Sequence, residues 1–63
     1  MDQLIPERFI IENPRDGGRT YWKQYGPESV LTGGWHQLDE ASTYTVEDAE
    51  HAARLVDGKV VEP

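Results

Sequence analysis

Residues 8–25 read RFIIEN, PRDGG, RTYWKQY in succession: two β-favouring runs flank a cluster of Pro, Asp and Gly that favours a turn. The pattern predicts an antiparallel hairpin, Arg8–Asn13 against Arg19–Tyr25. Pairing Asn13 with Gly18 sets Phe9 opposite Trp22, Ile11 opposite Thr20, Ile10 opposite Tyr21 and Glu12 opposite Arg19, which matches apolar with apolar and acid with base. A slip of one residue would bury the wrong face. Phe9, Ile11, Thr20 and Trp22 are therefore assigned to the inner face, and Arg8, Ile10, Glu12, Arg19, Tyr21, Lys23 and Tyr25 to the outer one.

Downstream of the hairpin, Gly26 and Pro27 end the second run. Glu28 to Gln37, with the Gly33–Gly34 pair, reads as a loop leading to a short third strand near Trp35–Leu38. Thr45, followed three residues later by Asp48, is a variant of the capping box, in which the hydroxyl accepts an orphan amide and the acid returns to the cap. Val46, Ala49, Ala53 and Val56, joined by Ala52 and Leu55, form an apolar stripe at helical spacing, so a helix is expected over Val46–Val56. Gly58 is suited to the left-handed conformation past its end. Lys59–Glu62 (KVVE) then reads as a last strand. The fold class is α+β: a single domain over residues 1–63, an antiparallel sheet of three to four short strands with one helix on one face.

A helix of about 11 residues is marginal alone in water and must be held by packing. Phe9, Ile11, Trp22 and Trp35 are its expected partners, with Leu4 and Ile5, before Pro6, at the edge of the core. Replacing Phe9 or Trp22 by Ala is expected to cost about 3 to 5 kcal/mol.

The chain has 63 residues, six Lys plus Arg against twelve Asp plus Glu, a formal charge of −6 and no Cys. No disulfide or thiolate metal centre is available, which fits an intracellular, cytoplasmic setting. The longest apolar run is Phe9–Ile11, far short of the roughly 20 residues of a membrane span.

Chemistry-bearing motifs are sparse. A metal site would need His36 and His51 together with a carboxylate such as Asp39 or Glu50, but the two imidazoles share no close spacing. Ser29, Ser42 and Thr43 lack a nucleophile-elbow context. The Gly17–Gly18 and Gly33–Gly34 pairs are not followed by the Lys-Ser/Thr of a phosphate loop and read as turns. Asp39 with Glu40, and Glu47 with Asp48, read as solvated carboxylates. No enzyme activity, cofactor or metal is expected.

Charge distribution is more informative. Residues 1–32 hold Arg8, Arg15, Arg19 and Lys23 against Asp2, Glu7, Glu12, Asp16 and Glu28; residues 33–63 hold Arg54 and Lys59 against Asp39, Glu40, Glu47, Asp48, Glu50, Asp57 and Glu62. Negative potential gathers on the helical half. Two surfaces are candidates for a partner: the acidic helix face of Glu47, Asp48 and Glu50, and the sheet face of Arg8, Arg19, Tyr21, Lys23 and Tyr25. Aromatic rings among bases can stack single-stranded nucleic acid, yet net acidity opposes phosphate binding. Tyr and Arg are also enriched at protein interfaces, so a protein partner is preferred and a homodimer is allowed.

Trp35, then Ala41-x-x-Tyr44-Thr45-x-x-Asp48-Ala49-Glu50-x-Ala52, then Gly58-x-Val60-Val61 resembles a pattern of short uncharacterised α+β proteins of actinobacteria and their phages. The resemblance covers about half the chain and implies an accessory or phage-encoded protein without implying an activity. The expected function is non-enzymatic: binding and modulating a host protein. A nucleic-acid module using the sheet and a small virion or assembly protein are the alternatives.

Overall fold

The computed structural model describes residues 8–63; the expectation for Leu4 and Ile5 lies outside them. Four strands, β1 (Ile10–Glu12), β2 (Tyr21–Gln24), β3 (Gly33–His36) and β4 (Lys59–Val61), form one antiparallel sheet in the order β3-β2-β1-β4, and one helix, α1 (Val46–Val56), packs on β1 and β4. The chain is thus α+β, with the helix on the face that carries Ile11, Trp22 and Val60.

The hairpin forms in a register two residues away from the expected one. Glu12 faces Tyr21, and the Asn13 amide donates to the Thr20 carbonyl at 2.9 Å, so Ile11 rather than Phe9 stands against Trp22. The cause is the turn. Pro14–Asp16 winds into one turn of 3₁₀ helix capped by the Asn13 side chain, and Gly17 and Gly18 take positive φ (78° and 83°). The Asp16 carboxylate then accepts from the amides of Gly18 and Arg19 and from the Thr20 hydroxyl. This holds Arg19 and Thr20 in the loop, so the strand starts at Tyr21, and the Thr20 hydroxyl holds the Asp16 carboxyl below the usual carboxylate range, with the Arg19 amide second. Because the shift is even, each residue keeps its face.

At its far end the hairpin splays, and a later segment fills the fork. Phe9 and Tyr44 exchange two backbone hydrogen bonds (3.0 and 2.8 Å), while the Ser42 amide donates to the Trp22 carbonyl (3.0 Å) and the Ser42 hydroxyl accepts from the Gln24 amide (2.8 Å). Residues 42–44 therefore lie between β1 and β2 and satisfy backbone groups the two strands would otherwise offer each other. This shortens β1 to three residues and leaves Phe9 half-buried beside Tyr44 rather than in the central core.

That core is Ile11, Trp22, Ala52, Ala53 and Val56, with Val30, Trp35, Tyr44 and Val60 packed around it. The indoles of Trp22 and Trp35 meet edge to face at 5.1 Å, and Trp22 Nε1 donates to the Val30 carbonyl at 2.9 Å, so the β2–β3 loop is tied over the sheet beside α1. Ile10 is also buried, on the opposite face, where Val61 pairs with it.

The helix spans the expected residues, and the Thr45 hydroxyl accepts from the Asp48 amide at 3.2 Å; among the described residues no bond returns from the Asp48 side chain. Its buried face is Ala49, Ala52, Ala53 and Val56. Val46 and Leu55 are exposed instead: Val46 stands at the helix mouth, and Leu55 lies roughly a third of a turn from the centre of the stripe. The left-handed residue at the C-terminus is Asp57 (φ 60°), not Gly58; the amides of both donate to the Ala53 carbonyl. Asp57 also receives the Arg15 guanidinium at 2.9 Å, which lies over the Trp35 ring at 5.7 Å. Gly58 serves a steric need, since a Cβ there would collide with the Ile11 side chain.

The third strand begins and ends earlier than expected. Gly33 and Gly34 are strand residues, paired with Gln24 and Lys23, while Leu38–Glu40 is a 3₁₀ turn. A Cβ at Gly33 would strike the Lys23 carbonyl, and one at Gly34 would stand 2.8 Å from the Tyr25 hydroxyl. The pair marks a close approach in a strand rather than a turn.

Candidate functional site

The partner residues expected from sequence divide between opposite sides of the molecule. Tyr21, Lys23 and Tyr25 alternate along and just beyond β2, with the intervening Trp22 and Gln24 pointing to the helix side, so the three share the outer face. The β2–β3 register adds His36 opposite Tyr21 and Gly34 opposite Lys23. Arg8 and Arg19 are less available to this surface. Arg8 is held by Glu62 at 2.6 Å, and Arg19 is exposed in the turn, outside the strand.

Local contacts set the aromatic groups on this face. The Tyr21 hydroxyl donates to the Gly18 carbonyl at 3.1 Å, bending the ring toward the turn. Tyr25 is 56% exposed, and its hydroxyl lies 2.6 Å from His36 Nε2, the two rings meeting edge to face at 5.6 Å. Glu40 Oε1 stands 3.4 Å from His36 Nδ1. His36 and Glu40 were not singled out as partners of Tyr25 by sequence reasoning. Their four-residue separation was visible, but only the strand register, hidden by the Gly33–Gly34 pair, brings Tyr25 to them.

On the other side, Glu47, Asp48 and Glu50 are exposed on the first turns of α1. Among the described residues the ion pairs are Arg8–Glu62, Arg15–Asp57 and His36–Glu40, so none of these three helix acids meets a cation. They oppose the positive end of the helix dipole, which favours them where they stand. Among the described residues no cation closes on them, Arg54 standing one turn along from Glu50 without forming an ion pair.

Beside this acidic face runs an open cleft of about 280 Å³ between α1 and the β2–β3 loop, lined by Gln24, Val30, Tyr44, Asp48, His51 and Ala52. The Tyr44 hydroxyl donates to Gln24 Oε1 at 3.0 Å. Burial pushes the Tyr44 phenol up, with the Ser42 hydroxyl acting in the opposite sense. His51, exposed on α1, forms part of the rim. Among the described residues no group of three or more His, Asp or Glu is arranged to hold a metal ion, and no helix is long and apolar enough to cross a membrane. No protein-family model matches the chain, and neither a curated protein nor a solved structure does so at a significant level.

Proposed function

We propose that this chain is a non-enzymatic protein-binding module, an accessory factor of the phage-encoded kind its sequence resembles, and that it docks through the acidic face of α1 onto a basic surface of a host protein. The observation that carries this reading is the absence of an ion-pair partner for Glu47, Asp48 and Glu50 among the described residues, in a chain with twice as many acids as bases. Carboxylates gathered on the exposed first turns of a helix steer a cationic surface toward that end and suppress acidic competitors. The cleft lined by Asp48 and His51 gives that row relief.

The alternative, a single-stranded nucleic-acid platform on the outer sheet face, is weakened by the capture of Arg8 by Glu62. Lys23 is then the one base left among the tyrosines of β2. Binding that depends on neutralising phosphates needs more.

Affinity capture from an actinobacterial lysate tests the proposal. The wild-type chain is expected to retain a partner at low salt and release it as salt rises. Glu47→Gln with Glu50→Gln should lose it, and Tyr21→Ala with Tyr25→Ala should keep it. Equal capture by the helix double variant and the wild type would refute the helix face as the contact. Quenching of Trp fluorescence by single-stranded oligonucleotides would instead favour the sheet reading.

A further inference from the structure

The three tyrosines differ in what their hydroxyls meet. Those of Tyr21 and Tyr44 donate to carbonyl oxygens, of Gly18 and of the Gln24 amide, which do not take a proton at neutral pH. Tyr25 alone meets a nitrogen base, at 2.6 Å. The imidazole of His36 lies between that hydroxyl on Nε2 and the Glu40 carboxylate on Nδ1. A carboxylate beside Nδ1 favours the tautomer with its proton there, which leaves the Nε2 lone pair to accept from Tyr25. Hydroxyl, base and a carboxylate in ion-pair contact at 3.4 Å follow the order of an activated nucleophile.

The surroundings suit the same task. Tyr25 is an exposed residue, and its hydrogen bond to His36 lies at the surface. Its ring crosses bare backbone at Gly34, where a Cβ would stand 2.8 Å from the hydroxyl and 3.4 Å from His36 Nε2. Lys23, directly opposite Gly34, has no carboxylate partner among the described residues and can offset one negative charge on this face. A single lysine suits the one oxyanion that forms on addition to a carbonyl better than the several charges of a phosphoryl donor.

We infer that Tyr25 is an acceptor for an acyl group delivered by an activated ester, with His36 as its base. Tyr25 Oη bonds to the carbonyl carbon as its proton passes to His36 Nε2. The bond from that carbon to the leaving oxygen then breaks, and His36 returns the proton to the leaving group. The chain ends as a tyrosyl ester, modified once, with no oxidant or reductant involved. This goes beyond the docking role of the helix and uses the opposite face.

The test exposes the wild-type protein to 4-nitrophenyl acetate at neutral pH and maps acetylation by peptide mass spectrometry, with N-acetyltyrosinamide as the unassisted standard. Tyr25 is expected to react about tenfold faster than the standard, a discounted form of the larger gains of a positioned base in an enclosed site. Tyr21 and Tyr44 should not exceed the standard, and His36→Gln should bring Tyr25 down to it. Nitrogen shifts of the imidazole should report Nδ1–H for neutral His36 in the wild type and a move toward Nε2–H in Glu40→Ala, a response that loss of a purely structural contact would not give. A wild-type Tyr25 no faster than the standard, a rate untouched in folded His36→Gln, or a wild-type His36 protonated at Nε2 would each overturn the inference. The first and third readouts need no variant to fold.

Discussion

Placing a methyl group at Gly58 tests the packing of the helix end against the sheet. The φ of Gly58 lies outside the left-handed region, so Gly58→Ala meets no backbone penalty and would gain about 0.4 to 1 kcal/mol by restricting the unfolded chain. Sterics oppose it. The new Cβ would overlap the Ile11 side chain, which is fully buried, and would stand 3.1 Å from the Trp35 ring and 3.2 Å from the Glu12 carbonyl. Three neighbours from two strands close the site, and none is the free end of a flexible surface chain. Overpacking of this kind costs typically 1 to 3 kcal/mol; overlap with a fully buried side chain places it in the upper part of that range, about 2 to 3 kcal/mol, so the net loss should be about 1 to 2.5 kcal/mol. For a domain of this size each kcal/mol moves Tm by about 4 to 8 °C, placing the fall near 5 to 15 °C. Gly26→Ala is the matched control, because nothing lies within 4 Å of its Cβ position and its φ is not positive; it should gain about 0.4 to 1 kcal/mol. Thermal and urea unfolding followed by Trp fluorescence measures both. A Gly58→Ala protein as stable as the wild type, or one that shifts in the same direction as Gly26→Ala, would refute the packing described for this corner.

Ile11→Ala should cost about 2 to 5 kcal/mol as the removal of a fully buried branched side chain, whereas Phe9→Ala, at a half-buried position, should cost only about 1 to 2 kcal/mol, a part of the value for full burial; urea midpoints of the two rank them. The folded-state pKa of Asp16 is depressed from 3.8, so its contribution is present above that value and lost as pH falls through the lower folded value. Melting temperature against pH should show this acid limb in the wild type and a flatter one in Asp16→Asn. Tyr44 is raised above 10.0 by burial, so its contribution is complete below pH 10.0 and is lost as pH climbs through the higher folded value. Tyr44→Phe should remove that alkaline limb and cost about 0.5 to 1.5 kcal/mol at neutral pH by leaving Gln24 Oε1 without its donor.

Much of the architecture was legible because its signals are local. Thr45 and the alanine spacing marked α1, and alternation in residues 8–25 gave the correct faces of the hairpin. The register was not legible, since Asp16 binds amides beyond the turn and so lengthens the loop by two residues, a side-chain effect that cross-strand matching of apolar pairs does not contain. The Gly33–Gly34 pair hid β3 for a related reason. Glycine is a poor strand former on its own, and only the neighbouring Lys23 carbonyl and Tyr25 hydroxyl explain its presence. Asp57 took the left-handed position because Asp tolerates it and the adjoining glycine was needed for space. Of the candidate site, the helix acids could be named from sequence. The contact of Tyr25 with His36 could not, because it depends on the strand that those glycines concealed.

The wedge of residues 42–44 has a kinetic consequence. The first hairpin can close only near its turn while those residues are absent, so a peptide ending at Tyr25 should zip from Asn13–Thr20 and then fray. Completion waits for Phe9 to find Tyr44 across most of the chain, a non-local closure that slows folding. Since Tyr44 directly precedes the N-cap of α1, that closure and helix docking should arrive as one event, and hydrogen exchange of the Phe9, Ser42 and Ala49 amides should follow a common opening.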